Sequence, residues 1–155
     1  MRGVEQIPWA YVLFMGFVER FGLGDWRRQL IGQVSGRTLE LGCGTGRNFD
    51  LYPAEAMVFG LELDVQLVQR AIRRGPGVPL VVGRAEALPF RSRSFDTVVS
   101  SLVFCTVSQP LVGMQEVARV LAPGGRIRML EHVRSENVLL GRLQDWIQPL
   151  WTPIA

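Results

Sequence analysis

The chain has no lysine, two cysteines and a single histidine among its 155 residues. All seventeen basic residues are arginines, the excess over acids is only +3, and the arginines are scattered, which argues against a nucleic-acid groove. Cys43 and Cys105 are too few for a disulfide framework in a chain of this size, so a reducing, cytoplasmic setting is expected. The apolar stretch from Trp9 to Val18 is shorter than the roughly 18 residues needed to cross a bilayer and is interrupted by Gly16. It reads as a helix lying on the domain or on a membrane surface. No repeat or low-complexity segment is present, and no metal site is assigned. A chain of this length is expected to form one domain that buries about 68–70% of its unfolded surface.

Against these absences stands TLELGCGTGRN, Thr38 to Asn48, where a short apolar run and an acid lead into glycines at alternate positions. The pattern predicts a strand, a tight turn and then a helix. Gly42, Gly44 and Gly46 leave bare backbone against which a ligand can lie. A helix opening near Thr45 or Arg47 would aim its unbonded N–H groups at a carboxylate or a ribose. A phosphate-gripping P-loop requires Lys and Ser/Thr after the last glycine, and Arg47 and Asn48 stand there instead. The dinucleotide fingerprint is weakened by Arg47, which occupies the place of its third glycine, although Glu62 stands where that fingerprint has its acid.

The alternation of apolar strands with helical stretches continues along the chain. Strands are predicted over 37–42, 57–63, 79–83, 95–102 and 125–132, with helices over 46–52, 64–74 and 108–121. This predicts an α/β fold, a doubly wound, mostly parallel sheet with helices on both faces. Asp64 is expected to cap the helix over 64–74, and Leu111, Met114, Val117, Ala118 and Leu121 to pack on the sheet. Before the sheet, residues 8–34 read as two helices broken near Gly22 to Asp25, with Asp25 as an N-cap. After it, Val138, Leu139, Leu143, Trp146, Ile147 and Leu150 form a helical stripe. The expected organisation is a single domain over 1–155, with a helical cap over 1–34, a core over 36–133 and a helix over 134–155.

ELGCGTG resembles the first motif of class I methyltransferases that use S-adenosylmethionine, in which an acid precedes a G-x-G-x-G turn. VFGLELD is similar to their second strand, GRAEALPF to the loop flanking adenine, RSFDTVVSSLVF to the fourth strand, and EVARVLAPGGRIRMLEHV to the helix, turn and fifth strand. The resemblance covers roughly positions 36 to 133 and implies the Rossmann-like class I fold, with S-adenosylmethionine as cofactor. It gives Glu62 the ribose hydroxyls and Glu40 the amino group of the methionine portion. Gly42, Cys43, Gly44, Gly46, Asn48, Leu63, Arg84, Ala85 and Ser101 complete the cofactor set. Arg84 departs from the pattern, since many relatives carry an acid there. Leu88 and Phe90 read as packing residues.

The acceptor implied is a small molecule, with His132 as its base or positioner. Cys105 reads first as a small, half-buried thiol and second as a residue lining the acceptor pocket. SSLVFCTVSQP followed by MLEHV is further similar to membrane-associated alkyl thiol methyltransferases, which suggests a thiol acceptor. Trp9, Trp146 and Trp151 on the amphipathic ends are compatible with peripheral membrane contact. The family's last two strands have no counterpart here, so an exposed fifth-strand edge could pair with a second copy. Two alternatives stand beside this reading: a shortened relative that binds the cofactor or its product without catalysis, as a partner or regulator, and an NAD-linked oxidoreductase.

Overall fold

The computed structural model describes residues 22–131 together with 137, 138 and 142. Contacts divide the chain into two compact units, Met1–Asp25 with His132–Ala155, and Trp26–Glu131. The helical cap is thus described only from Gly22 onward. The helix expected over 134–155 lies outside the described residues save for Asn137, Val138 and Arg142.

Five strands, β1 (Gly36–Leu41), β2 (Ala56–Glu62), β3 (Leu80–Val82), β4 (Phe95–Ser101) and β5 (Leu121–Leu130), form one sheet in the order β3-β2-β1-β4-β5. Every neighbouring pair is parallel. The first four match the predicted strands to within a single residue at each end. β5 begins earlier than predicted. Leu121 already pairs with Phe95, and the register then shifts so that Arg126 faces Thr97. The Pro-Gly-Gly stretch therefore lies inside β5, at an irregularity in its pairing with β4, and not in a turn before it.

β1 is central, and Thr38, Leu39, Glu40 and Leu41 are buried one after another, as expected of a strand covered on both faces. One cluster joins Leu39, Leu41, Leu61, Phe95 and Val98 to Val117 and Val120 of helix α3 (Pro110–Val120). The other joins Val99 to Ile31 and Val34, at and beyond the end of helix α1 (Gly24–Ile31). Val98 and Val99 point to opposite faces because successive strand residues alternate, which is how one strand serves two layers. Each such fully buried aliphatic side chain stabilises the fold by about 1.5–3 kcal/mol. Arg128 of β5 donates to the carbonyl of Leu30 at 2.9 Å, holding the C-terminal end of α1 on the sheet.

Three helical predictions need correction. The stretch 46–52 contains only turns and a single 3-10 turn, Phe49–Leu51. Gly46 has φ of 76°, outside helical geometry, and Pro53 soon follows. On α3 the buried stripe is Gly113, Val117 and Val120, while Leu111 is 80% exposed and Met114 and Ala118 are also on the open side. The spacing was helical, but the face is set by the close approach of Gly113 to Phe104. Asp25 is the second residue of α1 and not its cap, and in that first turn its charge still suits the helix dipole. Helix α2 (Val65–Arg74) is as predicted: Asp64 caps it by accepting from the N–H of Gln66 at 2.6 Å.

Candidate active site

The chain order reverses between β1 and β4, and open α/β sheets bind ligands outside the carboxyl ends of strands at such a reversal. A cleft of about 260 Å³ lies there, lined by residues that include Gly42, Glu62, Leu63, Gly83, Arg84 and Ala85. Five of the predicted site residues, Gly42, Glu62, Leu63, Arg84 and Ala85, are thus brought to one surface.

Glu62 ends β2 and reaches back to the glycine turn. Its Oε2 accepts from the N–H of Gly44 at 2.9 Å, while Oε1 accepts from the N–H groups of Leu63 at 2.8 Å and Asp64 at 3.0 Å. Three main-chain donors fix this carboxylate in place. Gly44 has φ of 55°, and a Cβ built on it would meet nothing within 4 Å, so the backbone there is open to a ligand.

Other predicted residues lie beneath the turn and outside the cleft lining. Glu40 is buried, and its Oε1 accepts from the Asn48 side-chain amide at 2.7 Å. Asn48 neither caps the following turn nor reaches the cleft. Burial pushes the Glu40 carboxyl up from an ordinary 4.5 to about 7, against the opposing pull of Asn48, Tyr52 and Arg27. Asn48 Oδ1 is buried with no hydrogen-bond partner among the described residues. Cys43 turns its thiol toward Gly60, and burial, then the nearby Glu40 and Glu62 charges, push it up to about 12. It is a packing residue and no thiolate. Gly46 makes room for the Phe49 ring, whose nearest atom would stand 2.6 Å from a Cβ.

Ser101 ends β4 outside the cleft lining, and His132 lies outside the described residues. Cys105 is exposed instead of half-buried, and Thr106, which does line the cleft, donates to the Val103 carbonyl at 2.8 Å.

Leu67, Glu86, Leu102, Val103, Val107 and Ser108 also line the cleft. Glu86 pairs with Arg84 at 3.5 Å and accepts from the N–H of Gln109. Its own main-chain N–H, then Gln109 and Arg84, hold its carboxyl below the usual range despite some desolvation. Adjacency to Ala85 was the available signal for Glu86; Val107 and Ser108 precede α3 and carry no motif.

The segment that supplies Gly83 to Glu86 is bolted to α3 further along. Arg119 donates to the carbonyls of Leu88 at 2.9 Å and Phe90 at 2.8 Å, and Glu116 accepts from the N–H of Leu88 at 2.8 Å. Leu88 is buried and Phe90 meets the Phe95 ring edge-on at 5.0 Å, so both pack as expected.

The methyltransferase domain family matches residues 39–129. The chain belongs to this family. It is 34% identical over 125 residues to the demethylmenaquinone methyltransferase of Renibacterium salmoninarum, covering 77% of this chain and 51% of that protein. It is 35% identical over 145 residues to the human thiol S-methyltransferase TMT1B, covering 83% of this chain and 59% of that one. A solved S-adenosylmethionine-dependent methyltransferase from Thermotoga maritima superposes with a TM-score of 0.61 at 26% identity, covering 86% of this chain and 65% of that one. The chain spans about half the length of the curated relatives it matches. The sheet is the Rossmann-like sheet of class I methyltransferases, and the cofactor that membership assigns is S-adenosylmethionine. The alternative of a nicotinamide-linked oxidoreductase finds no support in these relatives. Among the described residues no helix is long and apolar enough to cross a membrane.

The site fits that cofactor. An open, glycine-lined backbone at Gly44 adjoins a fixed carboxylate at Glu62, and apolar Leu63, Leu67 and Ala85 line the cleft with it.

Proposed function

We propose that this chain binds S-adenosylmethionine in the β1–β4 cleft and transfers its methyl group to a small-molecule thiol. The observation that carries the reading is the bond from the Gly44 N–H to Glu62 at 2.9 Å, which unites the glycine turn and the ribose-type acid in one place. When bound, the cofactor supplies a methyl group already activated as a sulfonium.

The protein's part is to bind and align, and holding two reactants in geometry contributes about 7–11 kcal/mol. Glu62 would hold the ribose hydroxyls, because a carboxylate accepts from two donors at once. Bare backbone at Gly44 would carry the methionine portion, with Glu40 buried beneath the turn and supporting it from below without lining the cleft. Leu63, Leu67 and Ala85 exclude water from the ring. Cys43 is no covalent nucleophile, since burial holds its thiol protonated up to about 12. A thiol acceptor, with an ordinary pKa of about 8.5, ionises with little help; His132 is the side chain proposed to supply that help.

The thiol is supported by the 35% identity to a thiol S-methyltransferase. A second acceptor, a quinol ring, is supported by the demethylmenaquinone methyltransferase at 34% identity.

Titration calorimetry with S-adenosylmethionine and S-adenosylhomocysteine, followed by methyl-transfer assays over thiols, phenols, amines and a demethylated quinol, tests the proposal. Binding with transfer to thiols is expected. Transfer to the quinol alone would replace the acceptor, binding without any transfer would favour the non-catalytic partner or regulator, and absence of binding would overturn the cofactor reading.

A further inference from the structure

Leu102, the first residue beyond β4, has φ of 60°. A bulky residue rarely adopts this left-handed conformation, and such a residue persists only where its surroundings over-determine it. Those surroundings are visible. The Leu102 N–H donates to the Leu130 carbonyl at 2.7 Å, and a single oxygen, Glu131 Oε1, accepts from the Ser100 hydroxyl at 2.7 Å and from the Val103 N–H at 3.1 Å. The carboxylate at the end of β5 therefore brackets the strained residue from both sides.

The consequence reaches the glycine turn. Leu102 and Val103 both line the cleft, and the Val103 methyls lie 2.6 and 2.9 Å from where a Cβ on Gly42 would be. Val103 is thus packed directly on the backbone of Gly42. The Val103 N–H is held by Glu131, while its carbonyl accepts from Thr106.

We propose that Glu131 is a positioning residue for the cofactor cleft: by bracketing Leu102 it sets Val103 against Gly42 and so holds the glycine turn in its binding shape. This rests on the cofactor reading above. Glu131 touches the cleft only through these neighbours, and its Oε2 is buried with no partner among the described residues. What the role demands is an acceptor in the right place, not a charge. Glutamine keeps that acceptor; alanine removes it.

The experiment compares wild-type protein with Glu131→Gln, Glu131→Ala and Ser100→Ala, reading S-adenosylhomocysteine affinity by calorimetry and amide hydrogen exchange at Val103. Loss of bonds to a charged acceptor predicts affinity about tenfold weaker in Glu131→Ala, a few-fold weaker in Ser100→Ala and retained to within about twofold in Glu131→Gln. The Val103 amide should exchange faster in Glu131→Ala and at the wild-type rate in Glu131→Gln, with amides inside β4 as the internal control for general unfolding. Wild-type affinity in Glu131→Ala would overturn the inference alone, as would Glu131→Gln binding as weakly as Glu131→Ala. Wild-type protein that does not bind the probe would overturn the cofactor reading, and this inference with it.

Discussion

Beneath the glycine turn, Glu40 is 2% exposed and accepts from the Asn48 side chain; on the open side, Glu62 has both oxygens filled by main-chain N–H groups. The underside is dense. Gly46 there is crowded by the Phe49 ring, whereas Gly44 on the open side faces empty space, although both have left-handed φ values. Like residues, a few positions apart, are therefore governed by different physics. Below the turn, desolvation dominates and raises a carboxyl; above it, oriented donors hold a carboxylate where a ligand can reach it.

Substitutions across the turn test that contrast. The largest effect is expected at Gly46→Ala. Left-handed strain of about 1–2 kcal/mol adds to about 1–3 kcal/mol of overlap with Phe49, so stability in denaturant titration should fall by about 3 kcal/mol.

Glu40 comes next. Its pKa is raised from 4.5 to about 7 in the folded chain, so the folded state binds the proton more tightly than the unfolded one. Its contribution to stability is then fully present below about 4.5, lost as pH rises to about 7, and flat above. The loss is at most about 3 kcal/mol. Glu40→Gln should abolish that slope, seen as a flat denaturation midpoint from pH 5 to 8; equal slopes in both proteins would show that burial does not control this group.

On the open side, Glu62→Ala should weaken S-adenosylmethionine binding by about 10- to 150-fold in calorimetry, as loss of bonds to a charged acceptor implies. Unchanged affinity would remove the functional half of the contrast. The smallest effect is expected at Gly44→Ala, where strain of about 1–2 kcal/mol acts without a clash. If it destabilises as much as Gly46→Ala, the two sides are not different after all.

Much of this was legible beforehand, for identifiable reasons. The first four strands were readable because each is a short apolar run between turn signals, and parallel strands buried on both faces need such runs. Asp64 was readable as a cap because that chemistry is local. The α3 stripe was legible only in part: Val117 is buried and Leu121 packs on the core as expected, while Leu111 and Met114 face outward and Gly113 sits against Phe104. A hydrophobic period defines stripes without saying which one meets the sheet. The helix expected after the glycine turn failed for a backbone reason: Gly46 stands at φ of 76° and Pro53 soon follows.

The sequence by itself determined the parallel α/β class, the glycine turn, and the presence of acids on either side of it, since all of these depend on residue type and short spacing. Only the tertiary structure decided which acid is buried and which faces the cleft, and that Glu131 meets Ser100 and Val103 about thirty residues earlier in the chain. Burial and long-range hydrogen bonding arise when strands distant in sequence become neighbours, and no local pattern records how much water each carboxylate keeps.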